Sequence, residues 1–64
     1  MPRNSDINAT IDEWVQGDRD RRILKRSMID RHTHEQIAEE MEISPRTVDN
    51  VTRRWRGVVI SQLP

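Results

Sequence analysis

The second half of the sequence carries two helix-start signals that leave room for one short helix between them. The stretch Thr33–Gln36 (THEQ) fits a capping box, in which the threonine hydroxyl accepts from the third amide and the glutamine side chain reaches back. Ser44-Pro45 combines a hydroxyl cap with proline at the first helical position, where its missing N–H costs nothing. These signals predict a helix at about 34–41, a tight connection, and a last helix from residue 45 to at least residue 55.

Apolar residues at helical spacing predict two further helices earlier in the chain. The first stripe consists of Ile7, Ile11, Trp14 and Val15. It predicts a helix at about 7–16, with Gly17 as the left-handed residue just past its end. Asp18 is expected to cap the next helix, at about 19–30. That second helix is very basic, and its apolar stripe consists of Ile23, Leu24 and Met28.

These signals together predict an all-α fold of four helices, three core helices plus the N-terminal one. The third and fourth helices have the dimensions of a helix-turn-helix. We expect a flexible tail at 1–6, the helix-turn-helix domain at 7–57 and an apolar tail at 58–64. The two tryptophans, Trp14 and Trp55, are expected to anchor the core, since the chain has no other aromatic residue.

The composition excludes several classes of site. A chain of 64 residues has a thin core, and the absence of cysteine excludes a disulfide and the commonest structural zinc sites. His32 and His34 lack a full set of metal ligands, so we expect no metal and no cofactor. No nucleophile or carboxylate pair stands in a catalytic arrangement, so we do not expect an enzyme. Without a signal peptide or a membrane span, a cytoplasmic protein that binds no membrane is expected.

The net charge of zero hides a segregation of charge along the chain. Residues 18–31 hold six Lys and Arg against three acids, and residues 44–64 hold four Arg against one acid. Between these basic blocks, residues 32–43 hold four Glu and no Lys or Arg. Clustered positive charge attracts phosphate more than the total suggests, although such runs can also be solvated helix faces.

The predicted last helix has two chemically different sides. At about 100° per residue, Val48, Val51 and Trp55 share the core side. The other side offers guanidinium, amide, carboxylate and hydroxyl groups suited to base edges in the major groove of DNA, and the expected base contacts are Arg46, Thr47, Asp49, Asn50 and Arg53. Asp49 could accept from a cytosine amine or only orient Arg53.

Phosphate contacts are expected from two sources. Basic side chains and the polar ends of helices hold a nucleic-acid backbone without reading its sequence. The basic candidates are Arg19, Arg22, Lys25, Arg26, Arg54 and Arg56, and the helix-end candidates are Thr33 and Ser44.

Residues 18–56 resemble the C-terminal DNA-binding region of bacterial sigma-70-type factors, region 4. They are also similar to response-regulator output domains and to phage late-transcription regulators of the ArpU type. The resemblance is carried by 29–41 (IDRHTHEQIAEEM) and 43–48 (ISPRTV). This group usually has glycine at the positions of Arg31 and Glu42, where the backbone often turns left-handed. A side chain costs about 1 kcal/mol at each such position, so both turns are expected to be looser or differently shaped.

The sequence therefore predicts a transcriptional regulator that binds double-stranded DNA sequence-specifically, with the helix at about 45–56 in the major groove. The alternative is an interaction module of the same shape that binds RNA polymerase, a sigma factor or another regulator. It is motivated by the zero net charge and by the acidic third helix. The apolar tail is expected either to fold back near Trp14 or to form a homodimer, at equal weight.

Overall fold

The computed structural model describes residues 3–64 and places four α-helices in that range. They are α1 (Asn4–Trp14), α2 (Asp18–Met28), α3 (His34–Met41) and α4 (Pro45–Gln62). No strand occurs among these residues, which confirms the predicted all-α fold class. No helix in this part of the chain is long and apolar enough to cross a membrane.

The two helix-start signals form as predicted. The Gln36 amide donates to Thr33 Oγ1 (3.1 Å), and the Thr33 amide donates to Gln36 Oε1 (2.9 Å), which completes the capping box of α3. Ser44 Oγ accepts from the Thr47 amide at 3.2 Å, and proline occupies the first turn of α4. Since these caps depend only on residues three apart, their sequence signals were sufficient to place both helix starts.

The predicted junction between α1 and α2 was wrong in its details. Gly17, not Asp18, is the N-cap of α2, and it has φ 91° and no side chain to cap with. Asp18 is instead the first helical residue, where its carboxylate faces the positive end of the helix dipole. The C-cap of α1 is Val15 in an extended conformation, so the positive φ of Gly17 serves the start of α2 rather than the end of α1.

The bounds of both terminal helices differ from the prediction: α1 begins at Asn4 and ends at Trp14 rather than spanning 7–16, and α4 extends to Gln62. The Arg3 amide donates to Asp6 Oδ2 at 3.0 Å, and α1 begins at Asn4 instead of residue 7. At the other end, α4 continues through residues 58–62, part of the predicted apolar tail. Val59 in this segment is fully buried in the common core, and α4 contacts α1. The last turns of α4 therefore pack back onto the protein.

All four helices contribute to one small core. Its fully or nearly buried members are Ile11, Val15, Ile23, Leu24, Ile37, Ala38, Val48, Val51 and Val59. Trp14 was expected to anchor this core but is 42% exposed, because Ile11 and Val15 are the residues that fill the buried side of α1. Trp55 is partly buried and packs against the cluster, and Thr52 is buried beside it on α4.

Two turns keep a left-handed backbone without glycine. Arg31, between α2 and α3, and Glu42, at the end of α3, both have φ 57°. The Glu42 conformation closes α3, and the Ile43 amide then donates to the Ala38 carbonyl at 2.9 Å. Both turns thus keep the left-handed conformation, and the expectation of looser or differently shaped turns was wrong. Each of the two non-glycine residues retains the strain of a left-handed backbone.

Candidate nucleic-acid interface

The outer face of α4, formed by Arg46, Asn50 and Arg53, lies opposite the buried side of the helix. All three residues are exposed, and the Arg53 side chain is 79% accessible. Val48 and Thr52, on the opposite side, are buried. Packing of the buried side of α4 against the core fixes the position of the helix. The outer face therefore presents two guanidinium groups and an amide in a defined arrangement.

The N-terminus of α3 flanks the outer face on one side. Asp49 is half-buried on α4, and its Oδ2 forms an ion pair with Arg53 Nε at 3.1 Å. Its other oxygen, Oδ1, lies 3.6 Å from His34 Nδ1 at the first position of α3. Thr33, which caps that helix, is exposed next to His34. The ion pair with Arg53 is the contact that one of the two sequence interpretations of Asp49 requires.

The N-terminus of α2 flanks the outer face on the other side. A shallow groove of about 240 Å³ lies there, lined by Arg19, Asp20, Thr47, Asn50, Val51 and Arg54. The Arg54 guanidinium lies 5.3 Å from the centre of the Trp55 ring, within the range of a cation–π contact. Two exposed arginines from different helices, Arg19 and Arg54, thus border the same groove as Asn50.

The other predicted phosphate contacts of α2 lie away from the groove beside Asn50. Lys25 Nζ pairs with Asp12 Oδ1 of α1 at 2.6 Å. Arg26 lies 3.2 Å from Asp30 and 3.8 Å from Glu40 of α3. Arg22 is exposed and lines a separate groove with Arg19 and Met41. Of the predicted phosphate contacts in α2, only Arg19 borders the groove beside Asn50.

The polar residues at the start of α4 are partly used by the helix itself. Ser44 Oγ lies 2.9 Å from Thr47 Oγ1 and also accepts the Thr47 amide. Ser44 and Arg46 are exposed, and Thr47 is half-buried. Arg56, further along α4, is exposed as well.

The two histidines diverge and serve different helices. His32 Nδ1 is buried and lies 3.0 Å from Glu40 Oε1, although the contact does not have hydrogen-bond geometry. His34 instead faces Asp49 on α4. Within residues 3–64, no three His, Asp or Glu side chains come together as a metal site would require.

Asp20 is a structural residue of the site that the sequence reasoning missed. Its Oδ2 accepts from Trp55 Nε1 at 3.0 Å, and its Oδ1 accepts from Arg19 Nε at 3.2 Å. The one available signal was that a buried indole usually needs an acceptor, but 35 residues of sequence separate the partners. Asp20 therefore fixes both the α2–α4 contact and the direction of Arg19.

A short capped helix, a tight left-handed turn and a longer helix with a polar outer face define a helix-turn-helix domain. The family described as Sigma-70, region 4 matches residues 18–55, which is more than half of the chain. The chain belongs to the sigma-70 region 4 family. This match confirms the first resemblance drawn from the sequence, whereas those to response regulators and phage regulators remain resemblances.

Membership of this family gives the domain a role in DNA binding or sigma-factor-related transcription control. No curated protein and no solved structure matches the chain.

Proposed function

We propose that the protein is a sequence-specific DNA-binding transcriptional regulator whose α4 enters the major groove. The observation that carries this proposal is the outer face of α4, where Arg46, Asn50 and Arg53 stand exposed on a helix fixed by its opposite side. The position is that of a recognition helix in a helix-turn-helix, and the family matched is one of DNA-binding domains. Because the proposed target is DNA, we propose that the protein acts in the cytoplasm.

Each group on the outer face has a defined chemical partner in the groove. Arg46 and Arg53 can each donate two parallel bonds to guanine O6 and N7, and Asn50 can pair with adenine N6 and N7. Thr47 stands at the edge of this face, where its hydroxyl can reach a base or the sugar–phosphate backbone. Asp49 acts here through Arg53.

The phosphate contacts we propose lie on both flanks of the outer face. Arg19 and Arg54 border the groove on the α2 side, and Thr33 lies at the start of α3 on the other. Ser44 lies at the start of α4, where a helix N-terminus favours a phosphate. Arg22 and Arg56 are exposed further out and fit weaker backbone contacts. Lys25 and Arg26 are paired with carboxylates and contribute less.

Selection of bound DNA from a random pool tests the proposal directly. An enriched motif would establish specific binding, and its symmetry would show whether one or two copies bind. A two-fold motif with half-sites about one helical turn apart would indicate a homodimer, for which Ile60, 52% exposed, remains available on α4. A pool without enrichment would contradict sequence-specific binding.

Asn50→Ala and Arg53→Ala should each weaken binding to the selected motif by about 1–3 kcal/mol, since each removes a two-pronged base contact. Helicity measured by circular dichroism should not change, because both side chains are exposed. Asn8→Ala, at an exposed asparagine of α1, is the matched control and should bind as the parent protein does. Unchanged affinity in both α4 variants at moderate salt would refute the role of the outer face.

The second candidate function is an interaction module that binds RNA polymerase, a sigma factor or another regulator. It is favoured by the exposed acidic side of α3, formed by Glu35, Glu39, Glu40 and Glu42, and by the exposed ring of Trp14. An NMR titration with mixed-sequence DNA separates the two functions. Shifts at Arg46 to Arg54 support DNA binding, whereas shifts confined to α3 and the end of α4 support the protein partner.

A further inference from the structure

The carboxylate of Asp49 is approached from two helices by two cationic or protonatable side chains. Arg53 Nε, one turn further along α4, forms an ion pair with Oδ2 at 3.1 Å. His34 Nδ1, from the start of α3, lies 3.6 Å from Oδ1, which is an ion-pair distance and longer than a hydrogen bond. Because each side chain uses a different oxygen, the two contacts do not compete.

The contact through Nε leaves the far end of the Arg53 side chain available. The two terminal nitrogens of the guanidinium can still donate in parallel to one base edge. Arg53 is otherwise 79% exposed, so without Asp49 its long side chain would sample many rotamers. Immobilising such a side chain on binding costs affinity, and a contact that holds it beforehand removes part of that cost.

We propose that His34 is a positioning residue for base recognition by Arg53, acting through Asp49. His34 fixes the carboxylate across the α3–α4 junction, and the fixed carboxylate directs Arg53 away from the helix axis toward the groove. The proposal rests on the proposed function. It adds that a residue outside the recognition helix determines the affinity and the specificity of the contact that Arg53 makes with its base. Asp49 and His34 are both half-buried, with side chains 39% and 37% exposed, so solvent screens their interaction only in part.

The other histidine provides a matched control. His32 lies two residues away, and its Nδ1 is 3.0 Å from a carboxylate oxygen, compared with 3.6 Å for His34. That carboxylate, however, belongs to Glu40 of α3. Glu40 is shared with Arg26 of α2, not with any residue of the outer face. Changing His32 therefore removes an equivalent histidine–carboxylate contact that has no route to Arg53.

A double-mutant cycle on the full chain tests the inference. Affinity for the selected DNA motif is measured for the parent, His34→Ala, Arg53→Ala and the double variant. We expect His34→Ala to weaken binding about two- to fivefold in the parent and to have no further effect once Arg53 is alanine. The loss should appear as reduced discrimination at the base that Arg53 contacts, and His32→Ala should leave that discrimination unchanged.

Asp49→Asn gives an independent check, because it keeps the size of the side chain and removes its charge. His34→Ala should have no further effect in the Asp49→Asn background, and circular dichroism should show the same helicity for every variant. These variants keep the inference testable even if alanine at position 34 weakens the start of α3.

Two outcomes would overturn the inference. If His34 contacts phosphate directly, His34→Ala will weaken binding to specific and non-specific DNA alike, in both Arg53 backgrounds, and will lower the salt dependence of binding. Independent effects of the two substitutions on the selected motif would equally exclude positioning. If Arg53→Ala itself has no effect, the base contact in the proposed function fails as well, so the two failures are distinguishable.

Discussion

At the scale of single residues, Asp20 contributes more to the structure than its place among the charged residues of α2 suggests. Its side chain is 17% exposed and accepts from both Trp55 Nε1 and Arg19 Nε. Asp20→Ala should lower the free energy of unfolding by about 1–2 kcal/mol, because the partly buried indole N–H loses the acceptor that Asp20 provides. Urea denaturation followed by Trp fluorescence measures this loss.

Asp18→Ala is the control for that measurement. Asp18 stands on the same turn of α2, is fully exposed and pairs with Arg21 only at 3.7 Å, so its loss should change stability by less than about 0.5 kcal/mol. Asp20→Asn keeps an acceptor oxygen and should retain most of the parent stability. Equal effects of Asp20→Ala and Asp18→Ala would show that the contact to Trp55 contributes nothing.

A substitution at the left-handed residue Glu42 should increase the stability of the protein, whereas Asp20→Ala should decrease it. Glu42→Gly should raise the free energy of unfolding by about 0.5 kcal/mol, because the relief of left-handed strain exceeds the extra entropy that glycine gives the unfolded chain. Thermal unfolding measures the gain. Glu39→Gly, in the interior of α3, should instead cost about 1 kcal/mol. Losses in both variants would mean that the Glu42 turn is not strained.

The site was predictable from the sequence only where it lies on a single helix. The outer face of α4 followed from angular spacing, since a regular helix fixes which residues point the same way. The contacts of Asp49 with His34 and of Asp20 with Trp55 cross from one helix to another. Such contacts depend on how the helices pack, which spacing along the chain does not reveal.

At the scale of helices, α4 contains a glycine for which the fold shows no requirement. Gly57 lies inside α4 without a positive φ, is exposed, and has no atom within 4 Å of where a Cβ would be. Gly57→Ala should therefore stabilise the protein by about 1 kcal/mol, through the lower entropy of the unfolded chain and the higher helix propensity of alanine. The midpoint of thermal unfolding should rise accordingly.

Gly17→Ala is the matched control, since space around Gly17 is also open but its φ is 91°. Alanine should be destabilising there, because the backbone conformation rather than crowding excludes a side chain. If both alanine variants are destabilising, the segment of α4 beyond residue 56 is not held as a regular helix.

The starts of α3 and α4 were predicted well, whereas the junction of α1 with α2 and the end of α4 were not, for a physical reason. The caps at Thr33 and Ser44 satisfy backbone amides within one turn, so their signal is local. The extension of α4 through Val59 depends on burial of that side chain in the common core, and the N-cap at Gly17 depends on how the chain connects α1 to α2. The exposure of Trp14 is likewise decided by packing, since its spacing alone allowed a core position.

At the scale of the whole molecule, folding sorts the charge that the sequence spreads over two basic blocks. The block at 18–31 divides, because Lys25 turns toward Asp12 of α1 while Arg19 joins Arg54 beside the outer face. Glu40 of α3 in turn pairs with Arg26 of α2 and neutralises part of the positive charge of that helix. A protein of zero net charge thus has a local cluster of cations around α4, which is where proposed DNA binding needs them.

This division of charge predicts different salt dependences for two cations of the same helix. If Arg19 neutralises one phosphate, Arg19→Ala should reduce the slope of log affinity against log salt concentration by about 0.9, through the release of one fewer counterion. Lys25→Ala should reduce the slope much less, because Lys25 is paired with Asp12 on α1. Fluorescence anisotropy with the selected DNA at several salt concentrations measures both slopes. Equal reductions would mean that the DNA backbone also contacts the α1 side of α2, and that binding is not confined to the surface around α4.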